Sequence, residues 1–198
     1  MERHLLKSVV EGLIFAHAEP VSAKALADVI QIVPADEIQA VIDELEQEYL
    51  KRSRGFILYN VAGGYQFRSL PHVAPWILES KKLKPAKLSR AALETLAIIA
   101  YNQPVTRGRI EKIRGVESSA TVKHLIEREL VEVVGRKDIP GRPLLYATSP
   151  RFLEVFGLPD LASLPPLHEL EAVENEVVPE ENDTDAESAP STNTLPQE

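Results

Sequence analysis

The strongest constraint on the fold is a change of hydrophobic periodicity within residues 88–156. Between residues 89 and 127, apolar side chains recur at spacings of three and four, which predicts three short helices. Residues 130–134 and 144–148 are instead short apolar runs separated by a turn-rich segment, which predicts a two-stranded hairpin. Three helices followed by a hairpin are the elements of a winged helix-turn-helix domain.

Capping residues agree with these boundaries. Ser89 precedes the first helix, and Thr106 precedes the second, where each hydroxyl is predicted to accept a hydrogen bond from a backbone N–H of the first turn. The third helix is predicted to begin at Ser118 or Ser119. Ser149-Pro150 then predicts a closing helix after the hairpin, because proline is favoured at the first helical position.

The first part of the chain repeats this order of elements. Helices are predicted over residues 2–17, 23–30 and 34–52, and the Gly63-Gly64 pair predicts a tight hairpin turn between two strands. At an offset of 84 positions, Pro20-Val21-Ser22 falls on Pro104-Val105-Thr106. The sequence therefore predicts two winged-helix domains in tandem, produced by an internal duplication.

Length and charge predict the domain boundaries within the 198 residues. We predict an N-terminal winged-helix domain at 1–80, a linker at 81–87, and a C-terminal winged-helix domain at 88–166. The remaining residues, 167–198, include ten acidic side chains and no Lys or Arg, which predicts a disordered acidic tail. The predicted fold class is thus α+β and mostly helical. The net charge of −8 hides a basic second domain behind that tail.

Composition and spacing argue against several classes of activity. The chain has no cysteine, and its five histidines do not occur at the spacings of a metal site. It lacks a phosphate-binding glycine loop, a secretory signal pattern and an apolar run long enough to cross a bilayer. We therefore predict a non-enzymatic, cytoplasmic protein with no catalytic residues, metal, cofactor, small-molecule substrate or membrane.

A winged helix also suggests DNA binding. The second domain has cationic candidates for phosphate contacts, which are Arg107, Arg109, Lys112, Arg114, Lys123, Arg136, Lys137 and Arg142. However, the predicted recognition helix has no Asn, Gln or Arg in its first two turns, and its counterpart in the first domain is acidic. A DNA-binding transcriptional regulator is therefore the alternative function.

The first helix is apolar over more of its surface than one small core requires. This pattern predicts either a dimer contact or a wide core face. The residues assigned to the dimer contact are Leu6, Val10, Ile14 and Phe15. In the second domain, Ile98, Ile99 and Tyr101 are predicted to form a groove with the wing tip for another chain.

Three segments carry a family resemblance. The stretches LETLAIIAYNQPVTRGRIEKIRGV, VGRKDIPGRPLLYATS and FLEVFGL resemble the hallmark segments of the segregation and condensation protein B family. The resemblance covers about five-sixths of the chain. That family supplies the accessory subunit of the bacterial condensin-like complex of a kleisin and a structural-maintenance-of-chromosomes (SMC) ATPase.

The resemblance implies a function and a set of partners. It implies a homodimer, formed largely through the first domain, that binds the kleisin, segregation and condensation protein A, largely through the second. Through the kleisin it implies association with the SMC ATPase, indirect association with DNA, a nucleoid-associated location, and a role in chromosome condensation and segregation. The residues that the motifs assign to the partner surface are Tyr101, Gln103, Pro104, Arg136, Gly141, Arg142 and Pro143.

Overall fold

The computed structural model describes residues 1–52, 54–82 and 87–166, and these ranges contain two winged-helix domains in tandem. The first domain consists of α1 (Arg3–Ala16), α2 (Ala23–Ile30), α3 (Ala35–Lys51), β1 (Phe56–Val61), β2 (Gly64–Ser69), a 3-10 turn (Pro71–Val73) and α4 (Ala74–Lys81). The second consists of α5 (Arg90–Asn102), β3 (Val105–Thr106), α6 (Arg107–Arg114), α7 (Ser119–Glu127), β4 (Val131–Arg136), β5 (Leu144–Thr148), α8 (Pro150–Phe156) and a 3-10 turn (Leu161–Ser163).

Each domain has its own hydrophobic core. In the first, the apolar faces of the three helices meet over β1, and the buried residues are Leu6, Val10, Ile14, Val21, Leu26, Val33, Ile38, Val41, Ile42, Leu45, Tyr49 and Leu58. In the second, the buried residues are Ala92, Leu96, Ile99, Ala100, Val105, Ile110, Val122, Leu125, Leu130, Val131, Tyr146 and Phe152. Helices as short as α2, α6 and α7 depend on this packing, because isolated helices of their length are unstable in water.

Two predicted caps are confirmed, and one is corrected. The hydroxyls of Ser89 and Ser149 accept from the backbone N–H groups three residues later, at 3.2 and 3.3 Å. Thr106 occupies the position before α6, but its side chain makes no capping hydrogen bond, and the residue instead belongs to the short strand β3. The third helix, α7, begins at Ser119 as predicted, and the hydroxyl of Ser118 before it accepts a hydrogen bond from Arg114 of α6 at 3.0 Å.

A third strand completes the sheet of the second domain. β3 pairs antiparallel with β5, which also pairs with β4, so the strand order is β3-β5-β4. The first domain has the same pairing in a minimal form, because Val21 makes a two-way backbone bridge with Tyr65 of β2, at 2.9 and 3.0 Å. The duplicated Pro-Val-Ser/Thr segment therefore adds to the second wing strand in both domains.

The first hairpin turns one residue earlier than its glycine pair suggests. Val61 faces Gly64 in the register, so Ala62 and Gly63 are the two central residues, with positive φ angles of 50° and 72°. These angles correspond to a turn that matches the twist of the strands. Glycine is needed at position 64 for a different reason. A Cβ there would lie 2.8 Å from the backbone of Val21, which leaves no room for a side chain.

The two domains contact each other and, together, residues 1–164 form one compact unit. The amides of Ala62 and Gly63 at the first hairpin tip donate to the carbonyls of Leu158 and Pro159, at 2.9 and 2.8 Å. The hydroxyl of Tyr59 donates to a neighbouring carbonyl of the same segment at 3.2 Å. We call these three hydrogen bonds the interdomain clasp. The central part of the predicted linker and the predicted disordered tail, 167–198, lie outside the described residues.

Candidate partner-binding surface of the second domain

The wing of the second domain has a tip closed by its own backbone. The pairing of β4 with β5 shifts between Val133 and Gly135, which marks a β-bulge. Beyond it, the amide of Lys137 donates to the Pro143 carbonyl at 2.9 Å, and a guanidinium nitrogen of Arg136 donates to the carbonyl of Arg142 at 3.1 Å. These bonds hold the cationic tip in a defined shape against α6.

A depression of about 350 Å³ lies between the wing and the first turn of α6. Its lining residues are Arg107, Gly108, Arg136, Gly141, Arg142, Pro143, Leu144 and Tyr146. Four of the seven motif residues therefore meet here, although they are separated in sequence from Arg107 by about thirty positions. Three guanidinium groups surround an aliphatic and aromatic floor, which suits an acidic segment with apolar side chains.

A second depression of about 320 Å³ lies on the β3 side of the wing. It is lined by Asn102, Pro104, Val105, Thr106, Arg109, Lys137 and Leu145. Pro104, which follows a cis peptide bond, brings a fifth motif residue to this surface. No carboxylate of the described residues lines either depression, although Arg107 is within 3.5 Å of Glu111. We call the two together the wing surface.

The structure separates the other two motif residues from the wing surface. Gln103 faces inward, where its Oε1 accepts hydrogen bonds from the backbone N–H and hydroxyl of Thr148, at 2.7 and 2.9 Å. Its Nε2 donates to the carbonyl of Ala100 at 3.2 Å. Tyr101 is half-buried on α5 and lines neither depression. Gln103 therefore joins the end of α5 to β5, and its partner role stays a prediction.

The groove expected around Ile98 and Ile99 requires a correction. Ile99 has no exposed surface, because it lies in the second core, and Ile98 is half-buried against that core. Arg107, Arg109 and Lys137, which the sequence predicts as candidates for phosphate contacts, line the wing surface together with the motif residues. Arg107 directly follows Thr106 of β3, Lys137 directly follows Arg136 of β4, and both strands pair with β5.

Most of the predicted dimer residues lie inside the first domain. Leu6, Val10 and Ile14 are 0%, 0% and 1% exposed and belong to its core, so the structure assigns them the core role that the sequence left open. Phe15 differs, with 75% of its surface exposed and its ring 6.4 Å from that of Phe67. A contact between copies through α1 therefore has to use its outward residues.

The charged residues facing α1 from α3 are paired. Glu44 accepts a hydrogen bond from Arg3 at 2.5 Å, which lowers the pKa of its carboxyl. Lys7 donates to Glu48, and this bond raises the pKa of the Lys7 amine and lowers the pKa of the Glu48 carboxyl. Glu44 and Glu48 of α3 are half-exposed, and their ion pairs with Arg3 and Lys7 link this helix to α1.

In a DNA complex α7 would be the helix that contacts the bases, but it offers few groups for such contacts. On α7, the Lys123 side chain is 79% exposed and lies 3.8 Å from Glu127. Arg114, a candidate for phosphate contact, is 8% exposed and donates to Ser118 at 3.0 Å. In the described ranges, no helix is long and apolar enough to cross a membrane, and no group of three or more potential metal ligands occurs.

Comparisons with known proteins agree with the resemblance. The family model described as segregation and condensation complex subunit ScpB matches residues 8–167. The chain is 51% identical to segregation and condensation protein B of Syntrophotalea carbinolica over 83% of each chain. It is 47% identical to the same protein of Moorella thermoacetica, over 84% of this chain and 85% of that one.

A solved structure of part of a related protein also matches. It is a dimer of the ScpB N-terminal domain complexed with a ScpA peptide, 31% identical, with a TM-score of 0.36, over 39% of this chain and 95% of that one. The family match covers most of the chain, and the two curated relatives match it over most of their own length. The chain belongs to the segregation and condensation complex subunit ScpB family.

Proposed function

We propose that this protein is a non-enzymatic subunit that binds the kleisin of an SMC complex through the wing surface. Through the kleisin it associates with the SMC ATPase, and indirectly with DNA, at the nucleoid in the cytoplasm. Its role there is in chromosome condensation and segregation. The observation that carries the proposal is that five motif residues border the two adjoining cationic depressions. They are Pro104, Arg136, Gly141, Arg142 and Pro143.

The chemistry of the wing surface defines the kleisin segment that it would bind. Guanidinium groups form paired hydrogen bonds with carboxylates, and Leu144, which is half-buried, offers apolar area between them. An acidic segment with apolar side chains therefore fits. The subunit would act by binding one arrangement of the kleisin more tightly than others, which shifts the population toward that arrangement.

We propose that the homodimer forms through the exposed aromatic surface of the first domain. Phe15 is 75% exposed and Phe56 is 40% exposed, and both rings pack beside Phe67. Leu5, on the outer side of α1, is 53% exposed. Burial of such aromatic groups is a common source of binding energy between chains. Phe15→Ser should shift the dimer toward monomer in sedimentation experiments, whereas unchanged association would remove Phe15 from the interface.

The kleisin proposal is tested by titrating purified kleisin into the full chain with calorimetric detection. Arg136→Glu combined with Arg142→Glu should weaken binding by roughly tenfold to a hundredfold, because two attractive contacts become repulsive. Lys24→Glu combined with Lys51→Glu makes the same change of net charge in the first domain, away from the wing surface. Equal affinities in the two double variants would contradict the proposal.

DNA binding is the second candidate, because phosphates also fit a cationic surface. It predicts that affinity for a duplex falls steeply with salt, by about a thousandfold or more between 50 and 200 mM. It also predicts that Lys123→Glu on α7 weakens duplex binding, whereas that change should leave kleisin binding unaltered. Tight, salt-sensitive duplex binding without any kleisin affinity would favour the regulator.

A further inference from the structure

A wide cleft lies between the two domains, away from the wing surface. It has a volume of about 730 Å³, within the usual range for binding sites. Ala18 and Glu19 of the first domain form one wall. The other wall consists of Ile126, Glu129, Val131, Glu132, Val133, Ser149, Pro150, Arg151 and Glu154. Gln66 of β2 donates to the carbonyl of Ala18, which holds the first wall in place.

The floor of this cleft is the outer edge of β4. β4 pairs with β5 on one side, and among the described residues no strand pairs with its other side. Thr148, which faces Val131 in the register, directs its backbone N–H to Gln103 and away from β4. Because hydrogen-bonded and non-bonded pairs alternate in an antiparallel ladder, Val131 and Val133 direct their N–H and C=O groups away from β5. Val131 is 2% exposed and Val133 is 46% exposed, so Val133 offers the accessible backbone groups of this edge.

The side chains along this edge are apolar and acidic. Val133 is 46% exposed and Ile126 is 37% exposed, so both offer apolar area to an incoming chain. Glu19, Glu129 and Glu132 have no cation within ion-pairing distance among the described residues. The cation of the cleft, Arg151, pairs with Glu154 at 2.7 Å. The lining therefore carries a net negative charge, in contrast to the wing surface.

We propose that an extended, basic and apolar segment of the kleisin adds as a strand to the free edge of β4. Backbone hydrogen bonds to Val133 hold the segment, and its cationic side chains meet the carboxylates of the cleft. The bulge before Gly135 ends the usable edge, so the added strand is short. This inference rests on the proposed function, because it gives the same partner a second contact.

The two contacts require opposite charges from one partner. An acidic segment fits the wing surface, and a basic segment fits the cleft at the opposite edge of the three-stranded sheet. One kleisin that carries both segments would cross the second domain and also touch the first at Glu19. The cleft has walls from both domains, so this contact would make kleisin binding depend on how the two domains are arranged. The wing surface belongs to the second domain alone, so binding there would not depend on that arrangement.

The first test removes the backbone donor from the edge. Val133→Pro deletes an outward N–H, and an edge strand tolerates proline at such a position. Val133→Thr is the matched control, since it keeps the N–H and a branched side chain. In calorimetric titrations with kleisin, Val133→Pro should weaken binding roughly tenfold while Val133→Thr binds as the wild type does. Equal affinity of the proline variant, with an unchanged melting temperature, would overturn the inference.

The second test reverses the charge of the cleft. Glu19→Lys combined with Glu132→Lys should weaken kleisin binding about tenfold, and the matched pair Asp28→Lys with Glu79→Lys, outside the cleft, should not. Binding that is unaffected by the cleft pair would contradict the proposal, even if the wing variants are defective. A wild-type chain that binds no kleisin would instead refute the proposed function itself.

Hydrogen exchange gives a direct structural readout that a folding defect cannot imitate. The amide of Val133, a residue that is 46% exposed, should exchange quickly in the free full chain, because it has no partner strand, and slowly in the kleisin complex. The Glu132 amide, which faces β5, should be protected in both states. A Val133 amide that stays unprotected in a saturated complex would overturn the strand addition.

Discussion

Replacement of Gln103 by leucine tests whether this motif residue acts inside the domain. Its Oε1 accepts from both donors of Thr148, which is 9% exposed, and its Nε2 bonds to the carbonyl of Ala100. Gln103→Leu replaces the amide by a branched apolar group, shortens the side chain by one atom and removes all three hydrogen bonds. The end of α5 and the start of α8 would then lose their polar connection through β5.

The magnitude follows from the groups left without a partner. The backbone N–H of Thr148 has Gln103 as its acceptor, and a buried donor without one costs about 1–3 kcal/mol. The hydroxyl of Thr148 adds about 1 kcal/mol, since it can rotate toward another acceptor. We therefore expect Gln103→Leu to reduce the free energy of unfolding by about 2–4 kcal/mol, and Thr148→Val by about 1 kcal/mol.

Urea denaturation followed by circular dichroism measures these losses, with the slope on denaturant checked for constancy. In the double variant, the loss should be smaller than the sum of the two single losses by about 1 kcal/mol, because both changes remove the same hydroxyl bond. Well below the melting temperature, Gln103→Leu should bind kleisin normally. A stability loss below about 0.5 kcal/mol, or a folded variant that no longer binds, would refute the internal role.

Three further predictions concern charge, strain and pH. Burial and a hydrogen bond to Glu11 raise the pKa of Tyr49 to about 12. The pKa of tyrosine in the unfolded chain is about 10, so the unfolded state ionises first and the fold loses stability between about pH 10 and 12. Tyr49→Phe should reduce that loss in alkaline melting curves. Lys7→Met removes the donor to Glu48 and should raise the pKa of that carboxyl, which nuclear magnetic resonance titration can follow. Gly157→Ala should reduce the free energy of unfolding by about 1 kcal/mol or more, measured as a lower melting temperature. The residue has a φ of 67°, and the added Cβ would lie 3.3 Å from the hydroxyl of Tyr59. Gly157→Asn should cost less stability, because asparagine adopts positive φ angles more readily than alanine.

The sequence predicted most of the elements because periodicity and caps are local. The closing helix begins at Pro150 after the Ser149 cap, as expected, and the predicted bounds of the second helix, residues 23–30, agree with α2. The paired glycines located the first hairpin to within one residue. The prediction of which helix residues are buried was less accurate at the margins of the apolar faces. Ile113 and Ile126 share spacing with core residues but are 42% and 37% exposed, because the helices that carry them are too short to bury a full stripe.

The features that the sequence did not predict depend on backbone atoms or distant neighbours. β3 has two residues, which is too few to show a period. The interdomain clasp is formed mainly by N–H and C=O groups, which every residue other than proline carries, so residue type gives no signal. Five of the residues that the motifs assign to the partner surface line the wing surface, and their role in binding stays a prediction. The inward direction of Gln103 depends on the position of β5 beside α5, because its hydrogen-bond partner Thr148 lies 45 residues later in the chain.

The interdomain clasp also sets how readily the two domains separate. Three hydrogen bonds at partly exposed positions contribute about 1 kcal/mol each, so they favour the attached arrangement by roughly a hundredfold over an open one. The open arrangement would then have a population near one per cent, which a ligand can increase. A partner that binds the open form about ten-thousandfold more tightly would make it the dominant form. Rearrangement of the molecule would then require neither domain to unfold, and its equilibrium would respond to substitutions at Tyr59 more than to changes in either core.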